Sequence, residues 1–314
     1  MDKTILIIGS RGLIGSASVC HFKNKEGAQL LCPSRQELDL LDSKQTLSYF
    51  KTHPIDQVII AAGLVGGIKY NQTYPADFIT KNLAMQLNIF HAAQEAEVEK
   101  VIFFASSCMY PKECPQPMKE EFLLTGALEP TSLSYALAKL TGVQMARSYN
   151  SQYNTNRFVA VIPNSVYGPH DNFDPETGHV MSSLIARFHE AKIMEAPSIT
   201  LWGTGEARRE FIFADDVACA VATLLSRSEL PVPINLGVGK DVSIKELAEC
   251  VANVVGYEGV LKWDTTKPTG TLKKLLDSTK IESLGWKPQV DLKTGIDITY
   301  QWYLQNKAEC LNEC

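Results

Sequence analysis

Ile5-Leu6-Ile7-Ile8-Gly9-Ser10-Arg11-Gly12-Leu13-Ile14-Gly15 is the stretch on which the reading of this chain turns. The unbroken aliphatic run predicts a strand buried on both faces of a parallel sheet. The glycines that follow allow a sharp turn, a close approach of backbone to a pyrophosphate, and tight packing of the next helix on the sheet. A glycine triplet alone is weak, because a merely structural turn carries one too. Placed directly after a buried strand, it predicts a dinucleotide-binding turn with Gly9, Ser10, Arg11, Gly12, Leu13, Ile14 and Gly15 against the cofactor.

The pattern continues outward from this unit. Ala28 to Cys32 reads as a second strand, and Pro33-Ser34-Arg35 follows it. A site for NAD would place an acid near this point to bind the ribose 2′-hydroxyl. Arg35 with Arg11 suits a 2′-phosphate instead, so NADP is favoured, although either Arg also reads as solvated surface. Asp39 is placed to touch an adenine edge or to cap the next helix. Val58 to Ala62 is a third strand, and Gly63-Leu64-Val65-Gly66-Gly67 after it lets a chain pass close to a dinucleotide. A helical pattern covers about residues 75–97 and carries Asn82. Val101 to Ala105 is a fourth strand delivering Ser106-Ser107-Cys108 at its carboxyl end, the edge where open α/β sheets bind ligands. Phe158 to Ile162 is a fifth, ending in Pro163-Asn164-Ser165-Val166-Tyr167-Gly168-Pro169. This βα alternation predicts an α/β protein with a Rossmann, doubly wound parallel sheet.

Between the fourth and fifth strands lies Ser134-Tyr135-Ala136-Leu137-Ala138-Lys139 on a helix from Pro130 to about Tyr153. Tyr135 and Lys139 fall on one helical face, a turn apart. A phenol titrates near about 10, and an ammonium beside it is expected to pull that value toward the working range. Such a pair passes a proton to or from an alcohol oxygen. The same spacing also fits an amphipathic helix with a surface lysine.

Beyond residue 168 the pattern changes. His179 precedes a helix through Arg187; Trp202-Gly203-Thr204-Gly205 and Arg209-Glu210-Phe211-Ile212 follow short strand-like runs; helical patterns cover Ile244 to Val255 and Leu292 to Gln305. The expected division is a cofactor-binding unit of residues 1–168 with part of 210–240, and a smaller discontinuous α/β lobe, mostly 169–314, that takes the substrate.

Composition sets the bounds. The 314 residues carry a net charge of −5, which gives no reason to expect a nucleic-acid or membrane-surface partner. No apolar run approaches the ~20 residues that cross a bilayer. The eight cysteines show no CxxC pair and no Cys/His cluster, so no metal is expected and they read as reduced thiols. The expectation is a soluble cytoplasmic protein.

Taken together, the glycine turn, Ser106, Tyr135-x-x-x-Lys139, Tyr167-Gly168-Pro169 and Arg209-Glu210-Phe211-Ile212-Phe213-Ala214-Asp215-Asp216 resemble the extended short-chain dehydrogenases acting on nucleotide sugars. Within them, Val65-Gly66-Gly67-Ile68, Ser106-Ser107-Cys108-Met109-Tyr110-Pro111, Tyr167 through Phe173, Arg187-Phe188-His189-Glu190-Ala191 and Lys274-Leu275-Leu276-Asp277 are similar to the GDP-L-fucose synthase group. The resemblance implies reduction by Ser106, Tyr135 and Lys139, with Cys108 and His179 as epimerisation base and acid. It implies NADPH contacts at the glycine turn and at Arg35, Ala62, Gly63, Lys139, Pro163, Asn164, Val166 and His179. It further implies GDP-sugar contacts at Arg187, Trp202, Arg209 and Asp277, and a homodimer formed through two helices per subunit. Two departures stand out: Gly63-Leu64 replaces the group's usual Ala-Lys, and the first turn begins Gly-Ser rather than Gly-His. The first of them bears on the cofactor or sugar pocket and places the exact sugar in question more than the chemistry, so a related dideoxyhexose or heptose stays open. Less favoured are a NAD-dependent 4-epimerase and a non-catalytic cofactor-binding protein. On their own, Cys108 fits a small core residue, His179 a helix cap, Arg187 and Arg209 ion-pair partners, and Trp202 core.

Overall fold

The computed structural model describes residues 3–23, 25–175, 177–267 and 271–310. In chain order the first half runs β1 (Lys3–Ile8), α1 (Leu13–Lys23), β2 (Ala28–Leu31), α2 (Ser43–Thr52), β3 (Gln57–Ile60), α3 (Ile68–Thr73), α4 (Pro75–Glu95), β4 (Lys100–Phe104), α5 (Leu133–Gln152) and β5 (Phe158–Pro163). The second half adds β6 (Ser165–Tyr167), α6 (Val180–Ile193), β7 (Ser198–Trp202), β8 (Arg208–Phe213), α7 (Ala214–Leu225) and β9 (Ile234–Leu236). It ends with β10 (Asp241–Ser243), α8 (Ile244–Val255), β11 (Val260–Asp264), β12 (Lys273–Lys274), α9 (Thr279–Ser283) and α10 (Leu292–Cys310).

A six-stranded parallel sheet, ordered β2-β1-β3-β4-β5-β9, forms the larger layer. The alternating side chains of each strand feed two separate cores. Leu6, Ile8, Val58, Ile60, Phe103 and Phe158 pack with Ile89 and Phe90 of α4 and Val143 of α5. Ile5, Ile7, Ile59, Ile102 and Val159 pack with Phe22 of α1 and Val217, Val221 and Leu224 of α7. Each such side chain buried on folding stabilises by about 1.5–3 kcal/mol, which is why the strands carry no polar face. This is the doubly wound Rossmann arrangement that the sequence predicts. Its strand order reverses between β1 and β3, and a ligand crevice opens outside the strand ends at such a point.

A second sheet is built around β8, which pairs with β10 on one edge and β12 on the other, and with β6 along Phe211 to Phe213. A parallel pair, β7 with β11, lies apart from it. Phe188, Phe211, Phe213, Leu247, Val251, Ile296 and Tyr300 form the core under these elements. One local expectation changes. Asp42, not Asp39, caps α2, accepting from the nitrogens of Lys44 and Gln45, while Asp39 accepts from the nitrogen of Leu41 in the preceding turn.

Candidate active site

The turn after β1 and the loop after β3 meet at the reversal point. Gly9 has φ +84°, and a Cβ there would lie 2.7 Å from the nitrogen of Ala62, so only glycine allows this approach. At Gly15 a Cβ would strike the carbonyl oxygen of Gly9, so α1 starts hard against the turn. Gly12 is exposed and meets only the Gly9 oxygen, at 3.6 Å, which leaves the N-terminus of α1 open to a diphosphate. Leu13 and Val166 both pack against Ala17, Ala214 and Ala218, bringing the segment after β5 beside this turn. Arg11 and Arg35 are both exposed near the end of β2, and Glu37 shares that surface, its carboxylate bound to the nitrogen of Ser34. The cradle and the two guanidiniums fit a phosphorylated dinucleotide.

The loop after β3 is held from α4. Asn82 is buried; its Oδ1 accepts from the nitrogen of Leu64 at 3.0 Å, and its Nδ2 donates to the oxygen of Leu64 at 3.0 Å and that of Phe78 at 2.7 Å. A Cβ on Gly63 would come within 3.5 Å of Lys139 Nζ, so this loop also borders the lysine on α5.

β4 and α5 bring the reactive groups together. Close contact between them is possible because Gly142 sits over Phe103, where any Cβ would run into the ring. Ser106 starts a short 3₁₀ turn and accepts from the nitrogen of Cys108 at 3.4 Å. Its hydroxyl is near enough to the Tyr135 phenol and the Cys108 thiol to favour the ionised form of each. Lys139 is 4% exposed, which rules out the surface-lysine reading. Its Nζ donates to the carbonyl oxygen of Phe104 at 2.8 Å and lies 5.8 Å from the centre of the Tyr135 ring.

The electrostatics differ from the expectation drawn from spacing alone. Burial, followed by the nearby Cys108, pushes the Tyr135 phenol upward, and the Ser106 hydrogen bond only partly opposes this. Burial lowers Lys139 to about 8, opposed by Cys108. The helical spacing predicts the pair's proximity but not the desolvation that dominates both groups. Burial likewise raises the Cys108 thiol, against the Ser106 hydrogen bond and the charges of Lys274 and Lys139.

His179 occupies the N-cap position of α6, yet its side chain makes no capping hydrogen bond. Its Nδ1 lies 3.6 Å from Asp171 Oδ1 instead, and that partner raises the imidazole pKa. The segment before it is tied to the loop after β3, since Gly67 donates to the oxygen of Thr177 at 3.2 Å.

The four residues expected to hold the sugar nucleotide divide between two places. Arg187 on α6 donates to the oxygen of Thr200 at 2.6 Å, two residues from Trp202 on β7. Trp202 is 66% exposed and so is not core. Arg209 on β8 is in register with Lys274 on β12 and donates to the oxygen of Arg208. Asp277 lies just after β12, where its carboxylate accepts from the nitrogen of Thr279. Neither Arg187 nor Arg209 forms an ion pair among the described residues.

Of the expected cofactor contacts, Pro163 ends β5 in the buried sheet. Asn164 has its carboxamide engaged within the protein: Oδ1 accepts from Ser107 Oγ at 3.1 Å, and Nδ2 donates to Glu210 Oε2 at 2.8 Å and to the oxygen of Lys274 at 3.3 Å. Three groups at the site went unmarked by the sequence reading. Asp171 sits inside the Tyr167-to-Phe173 stretch, Lys274 inside the Lys274-to-Asp277 stretch, and Glu210 beside Arg209. Their roles depend on partners far away in the chain.

A sequence model of the NAD dependent epimerase/dehydratase family matches residues 5–237. The chain is 47% identical over 302 residues to GDP-L-fucose synthase 1 of Arabidopsis thaliana, covering 96% of this chain and 93% of the relative. It is 44% identical over 312 residues to GDP-L-fucose synthase of Escherichia coli (strain K12), covering 96% and 97%. Among solved structures it resembles a GDP-mannoheptose C4 reductase from Campylobacter jejuni with NADP bound. The TM-score is 0.86 at 36% identity, covering 96% of this chain and 98% of that one.

Proposed function

Because the chain belongs to the NAD dependent epimerase/dehydratase family, with GDP-L-fucose synthases among its relatives, we propose that it converts GDP-4-keto-6-deoxy-D-mannose to GDP-L-fucose by 3,5-epimerisation and NADPH-dependent 4-reduction. The observation that carries this reading is the Cys108 thiol beside Ser106, facing Tyr135 and two lysines. A plain 4-reductase needs Ser106, Tyr135 and Lys139; a thiol at this strand end answers a further need.

That need is proton removal. A 4-ketone acidifies the hydrogens at C3 and C5, and inversion requires a base on one face and an acid on the other. Cys108 as thiolate takes the proton, and His179, whose protonated form Asp171 favours, returns one from the opposite side. NADPH, when bound, supplies the hydride for C4. Tyr135 then protonates the C4 oxygen, Ser106 holds that oxygen by hydrogen bonding, and Lys139 supplies positive charge beside the phenol. Gly9 to Gly15, Arg11, Arg35, Ala62, Gly63, Pro163, Val166 and the backbone at Asn164 form the cofactor cradle. Arg187 and Arg209 meet the diphosphate and Trp202 packs on the base or sugar.

One experiment tests the whole reading: turnover of GDP-4-keto-6-deoxy-D-mannose with NADPH in deuterated water. Deuterium at C3 and C5 of the product supports it, as does loss of that label in Cys108→Ser. Cofactor oxidation without label leaves a 4-reductase. A second reading, 4-reduction of a related heptose or dideoxyhexose nucleotide, draws on the likeness to the C. jejuni reductase, and heptose analogues test it.

Thiols outside any disulfide at Cys32, Cys108, Cys114, Cys219 and Cys250 fit a reducing cytoplasm. No helix among the described residues is long and apolar enough to cross a membrane. A second copy of this chain is the partner we assign to the outward faces of α4 and α5, which expose Leu87, Leu133 and Leu137. Light scattering at the dimer mass supports this, and a monomer excludes it.

A further inference from the structure

Two sheets converge on Cys108, and the contacts between them are continuous. Ser107, the next residue back, donates to Asn164 at 3.1 Å, and Asn164 donates to Glu210 of β8 at 2.8 Å and to the backbone of Lys274 on β12 at 3.3 Å. Glu210 is fully buried and also accepts from the nitrogens of Val238, Gly239 and Leu276 at 2.7, 2.8 and 3.0 Å. This network seats the end of β12 against the end of β4. Between them lies a cavity of about 10 Å³, room for one water, lined by Ser107, Tyr110, Glu129 and Lys274.

The charged and titratable groups around the thiol come from three elements. Tyr135 and Lys139 of α5, Ser106 after β4 and Lys274 of β12 all lie close enough to act on its charge, and Lys274 lines the same cavity as Ser107. Behind Lys274 stand Arg209 of β8 and Glu129. Lys139 already has the oxygen of Phe104 as its acceptor. Lys274 brings a second ammonium from the other sheet.

We propose that Lys274 is a positioning residue for the epimerisation base: its ammonium, with that of Lys139, favours the thiolate of Cys108 over the thiol, so the base is complete only where β12 docks on the end of β4. The proposal rests on the reading of Cys108 as base. In the step it serves, the thiol first loses its proton to water. The Cys108 sulfur then takes the proton from C3 or C5 as an S–H bond. The C–H bond electrons pass to the C4 carbonyl oxygen as an enolate, and reprotonation of carbon from the other face restores the ketone.

The test needs no substrate. Iodoacetamide alkylation, resolved by peptide mass spectrometry, is followed from neutral to alkaline pH in the wild type, Lys274→Met and Lys274→Arg, with exposed Cys20 as internal control. Loss of the ammonium raises the thiol pKa, so Lys274→Met is expected to slow Cys108 alkylation at neutral pH about 3- to 10-fold. Lys274→Arg restores it, and Cys20 is unchanged. A Cys108 profile in Lys274→Met that superimposes on the wild type overturns the proposal; if that variant does not fold, Lys274→Gln takes its place under the same criterion. Deuterium exchange at C3 and C5 by the wild type separates the two readings. Its absence removes the role of base from Cys108, whereas the alkylation profile decides the pairing of thiol and lysine.

Discussion

Lys139 Nζ donates to the carbonyl oxygen of Phe104 at 2.8 Å, joining a turn of α5 to the last residue of β4. The bond holds a buried ammonium at the strand end that also delivers Ser106 and Cys108. Burial lowers that ammonium to about 8, so its charge is present at neutral pH and titrates just above it.

Lys139→Met is therefore expected to reduce the rate of C4 reduction by about 10²- to 10⁴-fold while keeping the fold. Stability supplies an independent check. Between about 8 and the ordinary 10.5, the unfolded chain binds a proton that the folded chain has released. Wild-type stability should thus rise with pH across this window relative to Lys139→Met. Urea unfolding at several alkaline pH values measures it, and parallel curves contradict the assignment.

The Asp171–His179 contact makes a prediction of opposite sign. Asp171 raises the imidazole, so the protonated acid persists to higher pH than an isolated histidine allows. Its stabilising contribution is complete below about 6.5, the unfolded value, and fades as pH rises through the folded one. Asp171→Asn should move the alkaline limb of the epimerisation profile to lower pH. Deuterium incorporation at C3 and C5 against pH measures this, with NADPH oxidation on an already inverted sugar as the unaffected control.

Cofactor choice is tested at Arg11 and Arg35, the exposed guanidiniums flanking the end of β2. Removing a charged hydrogen bond to a phosphate costs about 1.5–3 kcal/mol, or roughly 10- to 150-fold in affinity. Arg35→Asp should raise the KM for NADPH by that order and improve use of NADH. Equal effects on both cofactors would mean that Arg35 does not meet a 2′-phosphate.

Glu210 accepts from Asn164, Val238, Gly239 and Leu276, and its replacement is expected to show in stability before activity. Glu210→Gln turns an amide N–H₂ toward backbone N–H groups that the carboxylate now satisfies. A loss of about 2–4 kcal/mol follows from leaving buried donors unmet. Urea midpoints with an unchanged denaturant slope would register it.

What the sequence could reveal depended on whether the cause was local. The strand and turn at Ile5 to Gly15 were legible because a strand buried on both faces must be aliphatic throughout and the turn must be glycine. The spacing of Tyr135 and Lys139 likewise announced their shared face. It carried no information on burial, which sets the direction in which both groups shift. Lys274 was obscure because β12 is two residues long and exists through its pairing with β8. Asp171 gains its meaning from the turn that brings His179 back to it. The cap at Asp42 rather than Asp39 depended on where α2 begins, a matter of three residues. Trp202 reads as core by its size alone, yet the end of β7 leaves it in solvent.

Asn82 grips Leu64 by both its nitrogen and its oxygen. A glycine-rich loop such as residues 63–67 would otherwise sample many backbone states, and freezing it on contact would cost about 1–2 kcal/mol per residue. The clasp from α4 makes that selection at folding. The wall bordering Lys139 is therefore set before any dinucleotide arrives, and association retains the free energy that ordering the loop would have consumed.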